Sequence, residues 1–377
     1  MKRSTWHVVL LIMVLALVAA ACGGTDDTTT TTAAPTTTAA AAETTTTEAE
    51  ATETTEAEAM DWGEPTAITL GHPFPEQHPI HQGAWLPWSE EIAETTGGVI
   101  TIEFHPGQAL AAAPATFENT VIGGQDLGWA LQGYHAGLFQ ATEVVEQPFQ
   151  FTSAEQATRT LWDLYDEYPE LRDEYSDVKL LGLWTHDIGD FWLGEKEVLV
   201  LEDFAGLNLR FPTRMMGNFI TEAGASAVGM PAPQIFDSLS TGVIDGLSIA
   251  ISGLQSFQLY DELTYGAECN CYVGAQYLVM NMDTWDGLTP DTQKLLMDTA
   301  REYSYTAGEV YDGAYERVKV LAAEAGIITN VIAGDELDRW HEVGATVTAN
   351  WIAEQEEQGV PAQEMFDRMQ EIKADYE

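Results

Sequence analysis

Residues 206–246, GLNLRFPTRMMGNFITEAGASAVGMPAPQIFDSLSTGVIDG, decide the fold of this chain. The stretch predicts a short strand at 207–211, a helix, an extended segment at 228–230, a turn forced by two prolines and a second helix at 234–240. This βαβα order indicates a mainly parallel sheet. Ligands bind beyond the carboxyl ends of the strands in such sheets, and Arg210 lies at one of those ends.

Two arginines in this stretch are candidates for contact with an anion. The guanidinium of Arg210 offers a planar fork that suits a carboxylate and stays charged at physiological pH. An ion pair with one of the many Asp or Glu side chains is the alternative. Arg214 falls in the first turn of the helix, where a cation is unfavourable, so it needs a compensating anion from the protein or from a ligand.

Composition excludes several classes of function. The 377 residues include 60 Asp and Glu against 15 Lys and Arg, a formal charge of −45. Such a surface argues against nucleic acid and against peripheral binding to anionic lipid, and it suits a salty environment. The sequence contains none of the common nucleophile, zinc or nucleotide motifs, so we predict no enzymatic activity, no cofactor and no metal site.

The three cysteines lie in two different sequence contexts. Cys269 and Cys271 are one residue apart, and a disulfide between them within a strand would be strained. We therefore expect buried thiols with a structural role, with a redox pair as the alternative. Cys22 follows a charged start and an apolar run in residues 1–21, which resembles a bacterial lipoprotein signal and makes Cys22 the predicted lipidated residue. Ordinary secretory cleavage near residue 21 is the alternative.

The remaining chain divides by composition. Residues 22–60 are rich in Thr, Ala and Glu, and we interpret them as a disordered tether. From 67 to 184 the patterns alternate β-α-β-α-β-α-β, and the chain then passes to a second lobe near His186. Long helical patterns follow at 291–325, 336–357 and 362–376.

The ordered motifs GLNLRFP, GASAVGMP and LSTGVIDG, with GGVITIEFHPGQAL upstream and YLVMNMDTWDGLTPDTQKLL downstream, resemble the DctP-like solute-binding proteins of TRAP transporters. The resemblance extends from residue 68 to the C-terminus. It implies an α/β, two-lobed, periplasmic-binding-protein-like fold with a long helix spanning both lobes. Lobe I is then 61–187 with 275–314, and lobe II is 188–274 with 315–377.

The resemblance also implies a function. The chain is expected to bind a small organic acid in the cleft between the lobes and to deliver it to the membrane permease subunits of a TRAP transporter. It would act outside the cytoplasm, attached to the membrane only by its N-terminal lipid. Three alternatives remain: a binding protein of an ABC importer or sensor system, an enzyme built on this scaffold, and a site in which a divalent ion bridges ligand and protein.

Site residues follow from the same resemblance. It implies that Arg210 holds the ligand carboxylate and that Arg214 lies near the ligand. The other predicted ligand contacts are Trp129, Trp192, Phe191, His72, Phe149 and Gln234. In the dicarboxylate and sialic-acid members of the family, polar or charged groups are common at the positions of Asp190 to Trp192, Gln234 and Ile249. We therefore predict that this chain binds a smaller or more hydrophobic acid. Asp245 is interpreted as structural.

Overall fold

The computed structural model describes residues 60–376, and within them the chain forms eleven strands and eleven α-helices. The predicted lipoprotein signal, Cys22 and nearly all of the tether lie outside the described residues. The strands are β1 Thr66–Gly71, β2 Ile100–His105, β3 Leu127–Leu131, β4 Val178–Thr185, β5 Gly189–Leu193, β6 Asn208–Phe211, β7 Ser226–Gly229, β8 Gly246–Ala250, β9 Tyr265–Tyr272, β10 Ala275–Asn281 and β11 Ile328–Val331. The helices are α1 Leu86–Thr95, α2 Thr116–Val121, α3 Ala154–Glu167, α4 Pro169–Asp173, α5 Arg214–Glu222, α6 Ile235–Ser240, α7 Ser252–Ser256, α8 Met282–Asp286, α9 Pro290–Glu324, α10 Asp335–Glu357 and α11 Ala362–Lys373.

The first sheet has the strand order β2-β1-β3-β10-β4. β1 runs parallel to β2 and β3, whereas β10 is antiparallel to both of its neighbours. All residues of β3 and β10 are buried, as expected of central strands covered by helices on both faces. The element order predicted for 67–184 is confirmed, because β1, α1, β2, α2, β3, α3 and β4 follow one another there.

The second sheet has the order β11-β9-β5-β8-β6-β7. β6 is parallel to β7 and β8, as the βαβα pattern predicted, but β5 is antiparallel to β8 and β9. Both sheets are therefore mixed rather than mainly parallel. The chain passes directly from one sheet to the other at two points: residues 186–188 join β4 to β5, and residues 273–274 join β9 to β10. Neither connection has the crossover helix that a parallel connection requires.

Helix α9 contacts both sheets. It begins after Thr289, whose Oγ1 accepts the Thr292 N–H at 3.3 Å, and Pro290 fills its first position. Its 35 residues extend ~50 Å. Ser304 of α9 lies against Gly182 of β4 in the first sheet, and the Tyr315 hydroxyl donates to Glu268 of β9 in the second sheet. The long helix spanning both lobes is thus confirmed.

Cys269 and Cys271 form a disulfide within β9, which corrects the expectation of free thiols. Their Cα atoms are 5.1 Å apart, closer than the ~6.6 Å that two residues of regular strand would give. The backbone departs from the regular strand at Asn270, which has a φ of 53°. The buried carboxylate of Asp190 accepts both the Cys269 and the Asn270 N–H at 2.8 Å, and this bulge brings the two sulfurs together.

Candidate ligand-binding site

A cavity lies where the two sheets approach each other, next to the two direct crossings. Its apolar walls come from both sides of the molecule: Phe74, Leu131, Pro212, Ile249 and Phe257. Its polar groups are supplied chiefly by Tyr134, Tyr272, Tyr311, Arg210 and Gln276. The space is about 40 Å³, far below the ~300–1,000 Å³ of typical small-molecule pockets. An organic ligand therefore enters only if the walls move apart.

Arg210 is the charged centre of this cavity. It projects from β6 and is only 1% exposed. Its Nε–H donates to the Met230 carbonyl at 3.0 Å, and Nη1 donates to the Ser248 carbonyl at 2.8 Å. Burial lowers the pKa of Arg210, but a guanidinium remains protonated at physiological pH. No carboxylate among residues 60–376 forms an ion pair with it, so its charge is open to an anion.

The tyrosines around Arg210 are neutral hydroxyl groups. Burial raises the pKa of Tyr134, of Tyr272 and of Tyr311. The Tyr134 oxygen accepts the Ala232 N–H at 3.1 Å, which connects the wall of the first sheet to the second. These groups can donate to a ligand oxygen without adding charge to the site.

Gln276 has a fixed orientation. The Trp129 indole N–H, which can only donate, lies 2.8 Å from Gln276 Oε1. The side-chain amide nitrogen of Gln276 therefore faces Tyr311 and donates to its hydroxyl oxygen at 2.7 Å. The Tyr311 hydroxyl proton is left free to donate into the cavity.

Two histidines complete the polar lining, and both are uncharged. Burial lowers the pKa of His78 to about 3 and the pKa of His186 to about 4. Neither imidazole competes with Arg210 for an anion at neutral pH. Among the described lining residues, Arg210 is thus the only cation.

The predicted site residues are distributed unevenly around this cavity. Arg210 lines it directly, and Trp129 lies behind the wall, bonded to Gln276. His72 is a layer further away, with its ring 4.4 Å from that of Trp129 and its Nε2 2.9 Å from His81 Nδ1. Trp129 and His72 therefore support the site without lining it.

Phe191 and Trp192 are on β5 but belong to the cores on the two faces of the second sheet. Phe191 packs against Phe204, and the Trp192 ring lies against Gly266. Consecutive strand residues point to opposite faces, and both faces here are buried. The structure does not bring either ring to the cavity.

The remaining predicted contacts also lie elsewhere. Arg214 forms a two-pronged ion pair with Glu143 and a second one with Glu354, so protein carboxylates supply its compensating anion. It lines a separate cavity of about 320 Å³. Phe149 packs against His341, and Gln234 is exposed. Asp245 accepts the Asn208 N–H at 2.7 Å, in keeping with its structural interpretation.

Sequence reasoning missed most of the lining. Gln276 left one signal, because it is a lone amide near the start of an otherwise apolar buried strand. His186 left another, since it directly follows the carboxyl end of β4. Tyr311, within α9, left none.

No group of three or more His, Cys, Asp and Glu side chains in residues 60–376 is arranged to hold a metal ion. None of the helices described there is long and apolar enough to cross a bilayer.

Comparison with known proteins gives the family. Residues 70–355 match the family described as DctP, bacterial extracellular solute-binding protein, family 7. The chain is 21% identical over 295 residues to the outer membrane transporter protein TsaT of Comamonas testosteroni, covering 77% of this chain and 87% of that protein. It is 23% identical over 216 residues to the 2,3-diketo-L-gulonate-binding periplasmic protein YiaO of Escherichia coli, covering 57% and 66%.

Solved structures agree. A TRAP solute-binding protein from Rhodoferax ferrireducens, in complex with copurified benzoate, superposes with a TM-score of 0.79 at 26% identity, covering 82% of this chain and 98% of that one. A TRAP periplasmic solute-binding protein from Bordetella bronchiseptica, with bound (R)- and (S)-mandelate, gives 0.78 at 25% identity, covering 83% and 100%. The chain belongs to the DctP family of bacterial extracellular solute-binding proteins, the solute-binding proteins of TRAP transporters.

Proposed function

We propose that this protein is the extracytoplasmic receptor of a TRAP transporter and that its solute is a small monocarboxylate with an aromatic or apolar body. The observation that carries the proposal is the buried Arg210 guanidinium, which has carbonyl partners but no carboxylate partner in residues 60–376. A buried cation without a counter-ion is costly, and an incoming carboxylate removes that cost. Within this family, a TRAP permease rather than an ABC importer is the partner.

The walls of the cavity limit the chemistry of the rest of the solute molecule. Phe74, Leu131 and Phe257 offer apolar contact, and the lining has one cation, so a second carboxylate would have no partner. Relatives fit this chemistry: the Rhodoferax protein carries benzoate, and a marine metagenome protein at 25% identity carries metahydroxyphenylacetate. An aromatic monocarboxylate is therefore the solute class we favour.

Binding is coupled to movement of the lobes. Arg210 belongs to the second sheet, whereas Tyr311 and Gln276 belong to α9 and the first sheet. A ligand that contacts both sides stabilises the closed arrangement over the open one and shifts the population toward it. The closed form is then the one that the permease recognises. Nothing in this scheme requires covalent chemistry, so the protein acts as a receptor and not as an enzyme.

We further propose that Cys22 carries a lipid that holds the receptor at the outer face of the membrane. The basis is the sequence of residues 1–22, and extracytoplasmic action agrees with the family. Metabolic labelling with a palmitate analogue tests this. Labelled protein is expected from the native chain and none from Cys22→Ala, and equal labelling of both would refute the anchor.

The central test is calorimetric titration and thermal unfolding with benzoate and mandelate. At ~100 times its dissociation constant, a ligand adds about 2.7 kcal/mol of stability. Arg210→Met is expected to lose about 2–5 kcal/mol of binding free energy, roughly 30- to 5000-fold in Kd. Arg301→Met is the matched control, because Arg301 pairs with Asp166 outside the cavity. Unchanged binding in Arg210→Met, or no response to any carboxylate, would overturn the proposal.

A further inference from the structure

His186 presents a hydrogen-bond acceptor to the cavity. Its Nδ1 lies 2.6 Å from the Asp187 carbonyl oxygen, which can only accept, so Nδ1 carries the proton. Since the ring is neutral, Nε2 has a free lone pair. No donor among residues 60–376 reaches that atom. A Cβ at Gly274 would lie 2.6 Å from it, so glycine at that position keeps Nε2 uncovered.

His78 presents the opposite group. Its Nδ1 accepts the Ile80 N–H at 3.3 Å, and a backbone N–H can only donate, so Nδ1 has no proton. The neutral ring therefore carries its proton on Nε2. That N–H has no acceptor within the described part of the chain. The two histidines thus have opposite tautomers, each set by a backbone partner.

The two rings are placed to act on the same ligand group. Both line the same cavity, whose volume is about 40 Å³. A carboxylate only accepts hydrogen bonds, and an ammonium only donates them, so either would leave one ring unsatisfied. A hydroxyl donates one hydrogen bond and accepts others, so it can satisfy both nitrogens.

We propose that His78 and His186 together bind a hydroxyl group of the solute, which is therefore a hydroxylated aromatic monocarboxylate rather than an unsubstituted one. This inference rests on the proposed function, with the carboxylate on Arg210. His78 follows β1 and His186 follows β4, so both are on the side of the first sheet. The carboxylate then contacts one lobe and the hydroxyl the other, and the hydroxyl becomes the group that bridges the cleft.

The test compares acids that differ by one hydroxyl. Calorimetry on the wild-type protein uses benzoate with 3-hydroxybenzoate, and phenylacetate with mandelate and with 3-hydroxyphenylacetate. At least one hydroxylated acid is expected to bind roughly 10- to 100-fold more tightly than its parent, because the parent leaves His78 Nε2 and His186 Nε2 without a partner in the closed site. If every parent binds as tightly as its hydroxylated partners, the inference is wrong and the proposed function stands. If none of these acids binds, the proposed function itself fails.

Variants of the two histidines test whether these residues cause the preference for the hydroxylated acid. His186→Phe and His78→Phe keep a flat ring but remove the acceptor and the donor, and each is expected to bring the ratio of the two affinities toward one. His341→Phe, which alters a ring packed on Phe149 outside the cavity, is the control and should keep the wild-type ratio. A wild-type ratio in both cavity variants would refute the assignment, and the wild-type comparison remains decisive if a variant does not fold.

Discussion

Replacing Glu146 by glutamine should remove a measurable part of the dependence of stability on pH. Glu146 is 3% exposed, and its Oε1 accepts the Ala275 N–H at 3.0 Å, at the start of the strand that returns from the second sheet. Burial raises its pKa to about 8, with Glu143 and Glu174 acting in the same direction and Arg214 against them. The carboxyl is therefore protonated in the folded protein at neutral pH.

The size of the effect follows from proton linkage. The pKa of an unfolded glutamate is ~4.3, so between about pH 4.3 and 8 the folded state holds one more proton than the unfolded state. Stability from this group is complete below the unfolded pKa and is lost as the pH rises through the folded pKa. Each pH unit in that window costs about 1.4 kcal/mol, so about 2 kcal/mol is lost between pH 6 and pH 7.5. Glutamine keeps an acceptor for Ala275 and does not titrate.

Urea unfolding of both proteins at pH 6.0, 6.75 and 7.5 measures this difference. The free energy of unfolding of Glu146→Gln minus that of the wild type should rise by about 2 kcal/mol across the series. Using the difference cancels the titrating groups that do not interact with Glu146, including His78 and His186, whose lowered pKa values act in the opposite sense below pH 6.5. Parallel lines for the two proteins would show that Glu146 is ionised when folded and would refute the reasoning.

Two further predictions concern charge. Arg214→Met should lower the free energy of unfolding in urea by about 2 kcal/mol, less than the ~3–5 kcal/mol of a fully buried pair because the Arg214 side chain is 34% exposed. Adding Glu143→Gln should recover part of that loss, and additive effects of the two changes would contradict the coupling. The formal charge of −45 repels an anionic solute, and salt screens that repulsion. The association rate constant measured by stopped flow should therefore rise at least a few-fold from 20 mM to 500 mM NaCl. Slower association at high salt would refute the repulsion.

Regular elements could be predicted because their sequence patterns are local. The sequence alone predicts the alternation of strand and helix from β1 to β4 and the residues at which α9 begins and ends. β5 and β8 could not be assigned in this way. β5, GDFWL, is buried on both faces and shows no period of two. Its aromatic residues are therefore predicted as ligand contacts, whereas they belong to the core.

Gly308 shows a second limit. A glycine inside a helical pattern does not by itself show which element packs against it. A Cβ at Gly308 would lie 3.0 Å from the Glu155 Cα at the start of α3, so the glycine permits close contact between two helices. Likewise, Arg214 has the sequence context of a ligand contact, and only the fold shows that Glu143 reaches it from 71 residues away.

The position of Arg210 could be predicted from a strand end and a family motif, but its isolation from acids could not. Carboxylates outnumber basic groups fourfold in this chain, so an arginine without one is unexpected. Among residues 60–376, five arginines form ion pairs with Asp or Glu: Arg159, Arg214, Arg301, Arg339 and Arg368. Arg172 and Arg317 do not, but neither is buried, whereas Arg210 is. An internal carboxylate beside Arg210 would stabilise the protein and compete with the solute. The neutral histidines, tyrosines and apolar walls of the cavity supply no such group, which leaves the charge available for the proposed solute.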